Sequence, residues 1–319
     1  MGRIAVVFDA NSYVAVPKTE FEWLVRAERK NSVVGYATFW TAMELLAHLA
    51  DPADPAFSRS WQAIHKLVLH CTGFDGSRRI VRFLPDSDSR IAMALFGVRS
   101  PHREHLPDDY GTLLGAVVDA KAIDELDPVM PMLKGIREHV LRTESEFAQS
   151  VFEHGVQALV PDATTWAALS KDEPARTRLV SALRDSSARV AVALEIVFRV
   201  AGTAGIELSE AQAHGAAADL LLSFPAAVEF YLSVLRKVAQ DGYDLRVPKN
   251  ANSVWDFQLA LSASPSTRID EMPVWVVSSD RPVRAAARDS GASAHFISVL
   301  EYRERLRLPF DEFCALATS

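Results

Sequence analysis

Four carboxylates stand out because each adjoins a hydrophobic element instead of a run of other charges. Asp9 closes the apolar run Arg3–Phe8 (RIAVVF), and Asp280 follows Val274–Val277 (VWVV) after Ser278 and Ser279. Glu44 sits between Met43 and Leu45-Leu46, and Asp256 lies among Val254, Trp255, Phe257 and Leu259. Gathered in one place such groups repel one another, and taking each charge out of water costs several kcal/mol unless something compensates. A hard divalent cation compensates, since Mg²⁺ and Mn²⁺ take oxygen ligands, hold phosphate oxygens and activate water. Acids without paired His or Cys therefore point to phosphoryl chemistry and away from a zinc hydrolase. Three of the four also have a local explanation. Asp9 fits an Asx turn, Ser253-x-x-Asp256 a capping box, and Asp280 before Arg281-Pro282 a helix N-cap. Capping does not account for Glu44, in mid-helix among leucines.

Bringing residues 9 and 280 together requires a sheet whose strands end on one side. Strands are expected at Arg3–Phe8, Arg79–Leu84, Val274–Val277 and Ala294–Val299, with a short extended piece at Val33–Tyr36, because apolar runs rich in β-branched residues suit strands buried on both faces. Helical spacing predicts helices at Thr19–Lys30 (with a Thr19/Glu22 capping box), Phe39–Leu49, Val254–Ala263 and Pro282–Ser290. The alternation predicts an α/β fold, a parallel sheet with helices on both faces. In such sheets the functional crevice lies outside the carboxyl ends of the strands. From residue 105 to 248 the pattern changes to successive helices, Gly111–Leu126, Val129–Phe152, Thr177–Ala204, Glu210–Leu222 and Ala226–Gln240, punctuated by Pro128, Pro161, Pro174, Gly205 and Pro225. The expected organisation is therefore residues 1–104 and 249–319 as two parts of one α/β domain, interrupted by a mostly α-helical insertion at 105–248.

Composition narrows the classes. At 319 residues, 49% hydrophobic and 24% charged, the chain is neither collagen-like nor disordered. Cys71 and Cys314 are too few for a disulfide framework or a four-thiolate zinc site. His102 and His105, and His65 and His70 near Cys71, match no zinc spacing, and no phosphate-binding glycine motif or Gly-x-Ser-x-Gly is present. The most apolar stretch, Val190–Val200, carries Glu195 and Arg199, so no membrane span is expected; the N-terminus carries no signal-peptide pattern, and the expected location is cytoplasmic. The net charge of −7 is unevenly spread: residues 105–248 hold 13 basic and 21 acidic residues, the flanks 21 and 20. Ligation of the four acids would leave the flanks basic, whereas the acidic insertion suits a basic protein partner or self-association.

In this order the motifs resemble the PIN-domain ribonucleases: a strand ending in Asp9 with Asn11 behind it (VVFDANSYV), a helical acid in Ala42-Met43-Glu44-Leu45-Leu46, Asp256 leading an apolar helix, and a strand followed by Ser278-Ser279-Asp280. The resemblance covers residues 1–104 and 249–319 and extends to a closing helix, Gly291, strand and Glu301. It implies a PIN-like fold, with Asp9, Glu44, Asp256 and Asp280 as ligands of Mg²⁺ or Mn²⁺ and as the catalytic set. Ser278 would support Asp280, and Asn11 would orient the Asp9 loop. The implied activity is hydrolysis of RNA, or of single-stranded DNA, by a toxin or an RNA-processing enzyme. Lys249, Arg281 and Arg284 flank the acids in sequence, either as phosphate contacts or as ordinary exposed charge, and Asn252, one turn before Asp256, as a phosphate or water contact or a cap. Trp255 either stacks on a base or belongs to the core. The long helical stretch between the second and third acids departs from the family pattern. A second reading is a non-catalytic PIN-like scaffold whose insertion binds a protein or RNA. A HAD-type phosphatase also starts with a strand and an Asp, but it wants an acid or Thr where Asn11 stands and a Lys before a late acidic pair, which Ser278-Ser279-Asp280 does not supply.

Overall fold

A computed structural model describes residues 3–75, 78–98, 106–264 and 267–308. The chain runs β1 (Ile4–Phe8), α1 (Ala10–Ala15), α2 (Lys18–Lys30), β2 (Val33–Tyr36), α3 (Phe39–Ala47), α4 (Phe57–Cys71), β3 (Thr72–Asp75), β4 (Arg78–Val81) and α5 (Ser87–Phe96). The insertion follows as α6 (Leu106–Asp119), α7 (Met130–Ser150), α8 (Gln157–Leu159), α9 (Trp166–Lys171), α10 (Glu173–Ala182), α11 (Ser187–Ala204), α12 (Glu210–Ser223) and α13 (Pro225–Asp241). The last part is α14 (Pro248–Ala251), α15 (Ser253–Ala260), β5 (Arg268–Ile269), β6 (Met272–Val277), α16 (Arg281–Asp289), β7 (Phe296–Ile297) and α17 (Val299–Arg305).

The fold is mixed α/β around a mostly parallel five-stranded sheet. β1 is central, with β2 on one side and β6 on the other, both parallel to it; β7 continues the parallel set beyond β6, and the short β5 pairs antiparallel with β6. The order places β1 and β6 side by side although more than 260 residues separate Phe8 from its partner Val277. They flank the switch point, where the connection from β1 runs to β2 and that from β6 runs the other way to β7, and in open α/β sheets that point opens a crevice at the strands' carboxyl ends.

Alternation along the strands assigns each residue to one of two cores. Ala5, Val7, Val274 and Val276 join a core with Val192, Val228, Leu232 and Leu235 of the insertion, while Val6, Phe8, Trp275 and Val277 join a core with Leu24, Leu45, Ile64 and Leu67. The insertion therefore does not bury its apolar stripe against itself alone. α11 and α13 share one core with the sheet and with α5, α15 and α16, against which they pack, and Leu113, Leu114, Val117 and Leu133 of α6 and α7 add to the core on the other face.

Several boundaries differ from expectation. The Thr177–Ala204 helix is two helices, α10 and α11, separated by a turn that includes Asp185, whose carboxylate accepts from Ser187 N; Asp185-Ser186-Ser187 offers a local alternative to helical bonding. The Arg79–Leu84 strand reaches the main sheet only through a parallel bridge from Phe83 to Ala37, because β4 pairs antiparallel with β3 instead. Helix α2 has Pro17 at its N-cap and makes no side-chain cap bond, so the Thr19/Glu22 box does not form. Helices α4 and α5 were not foreseen. The 104/105 boundary, His102, His105 and Cys314 lie outside the described residues. Among the described residues no single helix is long and apolar enough to cross a membrane.

A buried polar network fixes α4 against the sheet. His70 lies 3.2 Å from Glu28, Tyr13 Oη lies 2.8 Å from His70 Nδ1, and Tyr302 donates to Glu28 at 2.7 Å. Burial opposes a charge on His70, but the Glu28 carboxylate beside it lifts its pKa to about 10. Gly35 on β2 permits this approach, since a Cβ there would meet the His70 ring at 2.5 Å. His70 thus has a structural role.

Candidate active site

The four acids named from the sequence converge. Asp9, Glu44, Asp256 and Asp280 line one cavity of about 80 Å³ outside the carboxyl ends of β1 and β6, with Asn11, Thr38, Trp40, Thr41, Asn252, Trp255 and Leu259. Such a volume holds a few water-sized groups.

Each acid is placed by a different local device. Asp9 caps α1, and its carboxylate is held by three donors: Ser12 N at 2.5 Å on Oδ1, Ser278 Oγ at 2.5 Å and Ser279 N at 3.1 Å on Oδ2. Those bonds favour its ionised form, but burial outweighs them and the pKa stays above the ordinary carboxylate value. Lys66 secures the other end of α1, donating from Nζ to the carbonyls of Tyr13 (2.5 Å) and Val16 (2.6 Å). Asp280 caps α16 through Val283 N at 3.3 Å, while its own N–H donates to Ser278 Oγ at 2.9 Å. Ser278 thus joins the two strand ends: it donates to Asp9 and accepts from Asp280.

Glu44 and Asp256 differ from the other two. Neither carboxylate takes a hydrogen bond or an ion pair from a described residue. The Ser253-x-x-Asp256 capping box does not form, because Ser253 donates to the Asn250 carbonyl and α15 begins at Asn252 without a side-chain cap. Glu44 is carried by α3, whose N-cap Thr38 accepts from Thr41 N at 3.0 Å, while Thr41 Oγ1 donates to the Phe8 carbonyl at 3.4 Å and ties the helix to β1. Burial, then the charges of Asp9 and Glu144, push Glu44 to about 8. Burial, then Asp280, Glu44 and Asp9, push Asp256 to about 8, against a smaller opposing effect of Lys237. Asp256 thus feels the charges of all three other acids, and Glu44 that of Asp9, as expected of groups that share one site.

The remaining sequence candidates separate clearly. Asn11 and Asn252 line the cavity; holding Asp9, expected of Asn11, falls to Ser12, Ser278 and Ser279. Lys249 and Arg281 are exposed and outside the cavity lining, and Arg284 stands near Glu301, whose pKa it helps to lower. Trp255 is 6% exposed, donates to Glu144 at 2.9 Å and packs against Trp40 at 5.8 Å, which makes it a wall. Sequence reasoning missed Thr38, Thr41, Ser12, Lys66 and Glu144. Only the Thr-x-x-Thr cap before the Glu44 helix carried a local signal; Lys66 and Glu144 are brought in by tertiary packing.

Among the described residues no three His, Cys, Asp or Glu side chains are close enough together to hold an ion as they stand. The donor chemistry nevertheless fits a hard divalent cation. All four groups are carboxylates, and two lack any partner while repelling their neighbours. The chain matches no known family model, no curated protein and no solved structure.

Proposed function

We propose that the chain is a PIN-like, Mg²⁺- or Mn²⁺-dependent nuclease acting on RNA. The observation that carries this reading is the convergence of Asp9, Glu44, Asp256 and Asp280 on one cavity at the β1/β6 switch point, with Glu44 and Asp256 unpartnered. Capping explains Asp9 and Asp280 but neither of the others, and two uncompensated acids beside two more are costly without a cation.

A divalent ion supplies Lewis-acid polarisation of phosphate oxygens and lowers the pKa of water. The chain's own contribution is position and charge. Ser12, Ser278 and Ser279 fix both oxygens of Asp9, so its orientation is set before a ligand arrives. Glu44 and Asp256 would hold the cation together with Asp9 and Asp280. Asn11 and Asn252 offer neutral amide donors at the rim to a phosphodiester, and Lys249 and Arg281, exposed nearby in sequence, add a weaker screened attraction for the strand. Trp40 and Trp255 close one wall.

The test is Mn²⁺ calorimetry on wild type, Asp9→Asn and Asp280→Asn, followed by cleavage of an RNA panel with Mg²⁺ or Mn²⁺. Binding lost in both variants and cleavage lost with it are expected. Equal behaviour of all three proteins would reduce the acids to caps and turns, and would favour a non-catalytic scaffold acting through the acidic insertion.

A further inference from the structure

The two acids that no hydrogen bond places are carried by α3 and α15, and α7 of the insertion packs on both of these helices, which also pack on each other. A small core marks the junction: Met43 and Ala47 of α3, Val140 of α7, and Val254 and Trp255 of α15. Met43 precedes Glu44 and Trp255 precedes Asp256, so this core adjoins the backbone from which both carboxylates project. Asp9 and Asp280 are tied together through Ser278, but nothing comparable joins Glu44 to Asp256. Their spacing across the cavity is set by how the three helices pack.

Helix α7 grips α15 on both sides of Asp256. Trp255 donates from Nε1 to Glu144 at 2.9 Å, and Phe257 stacks on Phe147 at 5.7 Å with an interplanar angle of 29°. Glu144 and Phe147 are three residues apart on α7 and so share one of its faces. Ring stacking is a sum of many weak, non-directional contacts, whereas a hydrogen bond weakens steeply off its axis and so fixes one pair of atoms. Trp255 is 6% exposed, and a buried indole N–H needs an acceptor. Without Glu144 the N–H is left unpaired or the ring turns to reach water. The ring cannot turn freely, because Trp40 lies against it at 5.8 Å in the cavity wall. Either outcome displaces Trp255, and Asp256 is the next residue.

We propose that Glu144 is a positioning residue of the acid site: by accepting from Trp255 it docks α7 on α15 and sets the distance of Asp256 from Glu44. The inference rests on the cation-binding reading of that site and assigns the insertion a part in it.

The Glu144 charge also reaches Glu44, so the variants must separate bond from charge. Glu144→Ala removes both, and should weaken Mn²⁺ binding by calorimetry about tenfold or more, while melting within about 3 °C of wild type in EDTA. Glu144→Gln keeps an acceptor for the indole without the charge, and should restore affinity to within about threefold of wild type. Trp255→Phe cuts the same bond from the other side and keeps a ring in place, so the test stands even if Glu144→Ala fails to fold. It should weaken binding about as much as Glu144→Ala, and the double variant should be no weaker than either single one, because both changes break one bond. Unchanged affinity in Glu144→Ala, Glu144→Gln as weak as Glu144→Ala, or losses that add in the double variant would each overturn the assignment while the cation site stands. Wild type that binds no Mn²⁺ would instead sink the cation reading, and this inference with it.

Discussion

Glu44→Gln should make the metal-free protein more stable, and more so as pH rises. The folded chain holds the Glu44 carboxyl at about 8 against an ordinary value of 4.5, because burial and the Asp9 and Glu144 charges oppose its ionisation. The folded pKa is the raised one, so folding takes up a proton between these values. The stability is present in full at acid pH and declines as pH climbs through 8. Taking up one proton corresponds to a loss of about 1.4 kcal/mol per pH unit, which accumulates to about 4 kcal/mol between pH 5 and pH 8. Glutamine keeps the shape of the neutral acid and has no such dependence. In EDTA, Glu44→Gln should therefore melt close to wild type at pH 5 and about 8 °C above it at pH 8, taking ~2 °C per kcal/mol for a chain of this size. Adding Mn²⁺ should narrow the gap at pH 8 to about a third, raising wild type by the linkage term, about 2.7 kcal/mol at a hundredfold excess over Kd, and leaving the variant almost unmoved. The assay is thermal unfolding at pH 5, 6, 7 and 8 with and without metal. A variant less stable than wild type at pH 8, or a gap that does not change with pH, would show that Glu44 is not held against its charge and would remove the basis for a cation site.

Other consequences are checked more simply. Ser278→Ala removes the donor that bridges Asp9 and Asp280, and should weaken Mn²⁺ binding about 10- to 100-fold by calorimetry while costing only ~1 kcal/mol of stability. Glu28→Gln leaves His70 buried without its counter-charge and should cost about 3–5 kcal/mol in urea at pH 7. Wild-type stability should decline between pH 6.5 and 10 as His70, raised to about 10, loses its proton, and that alkaline slope should vanish in the variant. Gly35→Ala places a Cβ against the His70 ring and backbone, and should destabilise by about 1–3 kcal/mol in the same urea titration. Lys66→Met strips two donors from the end of α1 and should lower both stability, by about 1–3 kcal/mol, and Mn²⁺ affinity, since it loosens the segment that carries Asp9.

What was legible in the sequence is what local pattern encodes. Arg3–Phe8 and Val274–Val277 read as buried strands because both faces of each are covered, and Asp9 and Asp280 at their ends followed directly. Glu44 was legible as the one acid that no capping rule explained. The basic residues were misplaced for a physical reason. Proximity in sequence to Asp280 puts Arg281 and Arg284 on the first turn of α16, where helical rotation carries Arg284 toward Glu301 and leaves Arg281 in solvent. The Thr177–Ala204 division was missed because apolar spacing persists through Leu183 while Asp185 breaks the backbone pattern. Lys66 and Glu144 were invisible, because each depends on elements far apart in the chain.

The insertion links these observations. A two-faced sheet needs cover on both sides, and the residues that flank the acids in sequence supply α1–α4 mainly for one. The other face, presented by Ala5, Val7, Val274 and Val276, shares a core with α5, α15 and α16 and with α11 and α13, which pack on those helices. Removal of residues 105–248 would therefore expose the apolar faces of α5, α15 and α16. The same packing sets Glu144 of α7 near Glu44 and Lys237 of α13 near Asp256, so the insertion contributes to the field in which the acids titrate. Divergence within the insertion thus changes the electrostatics of the site even where the four acids are kept.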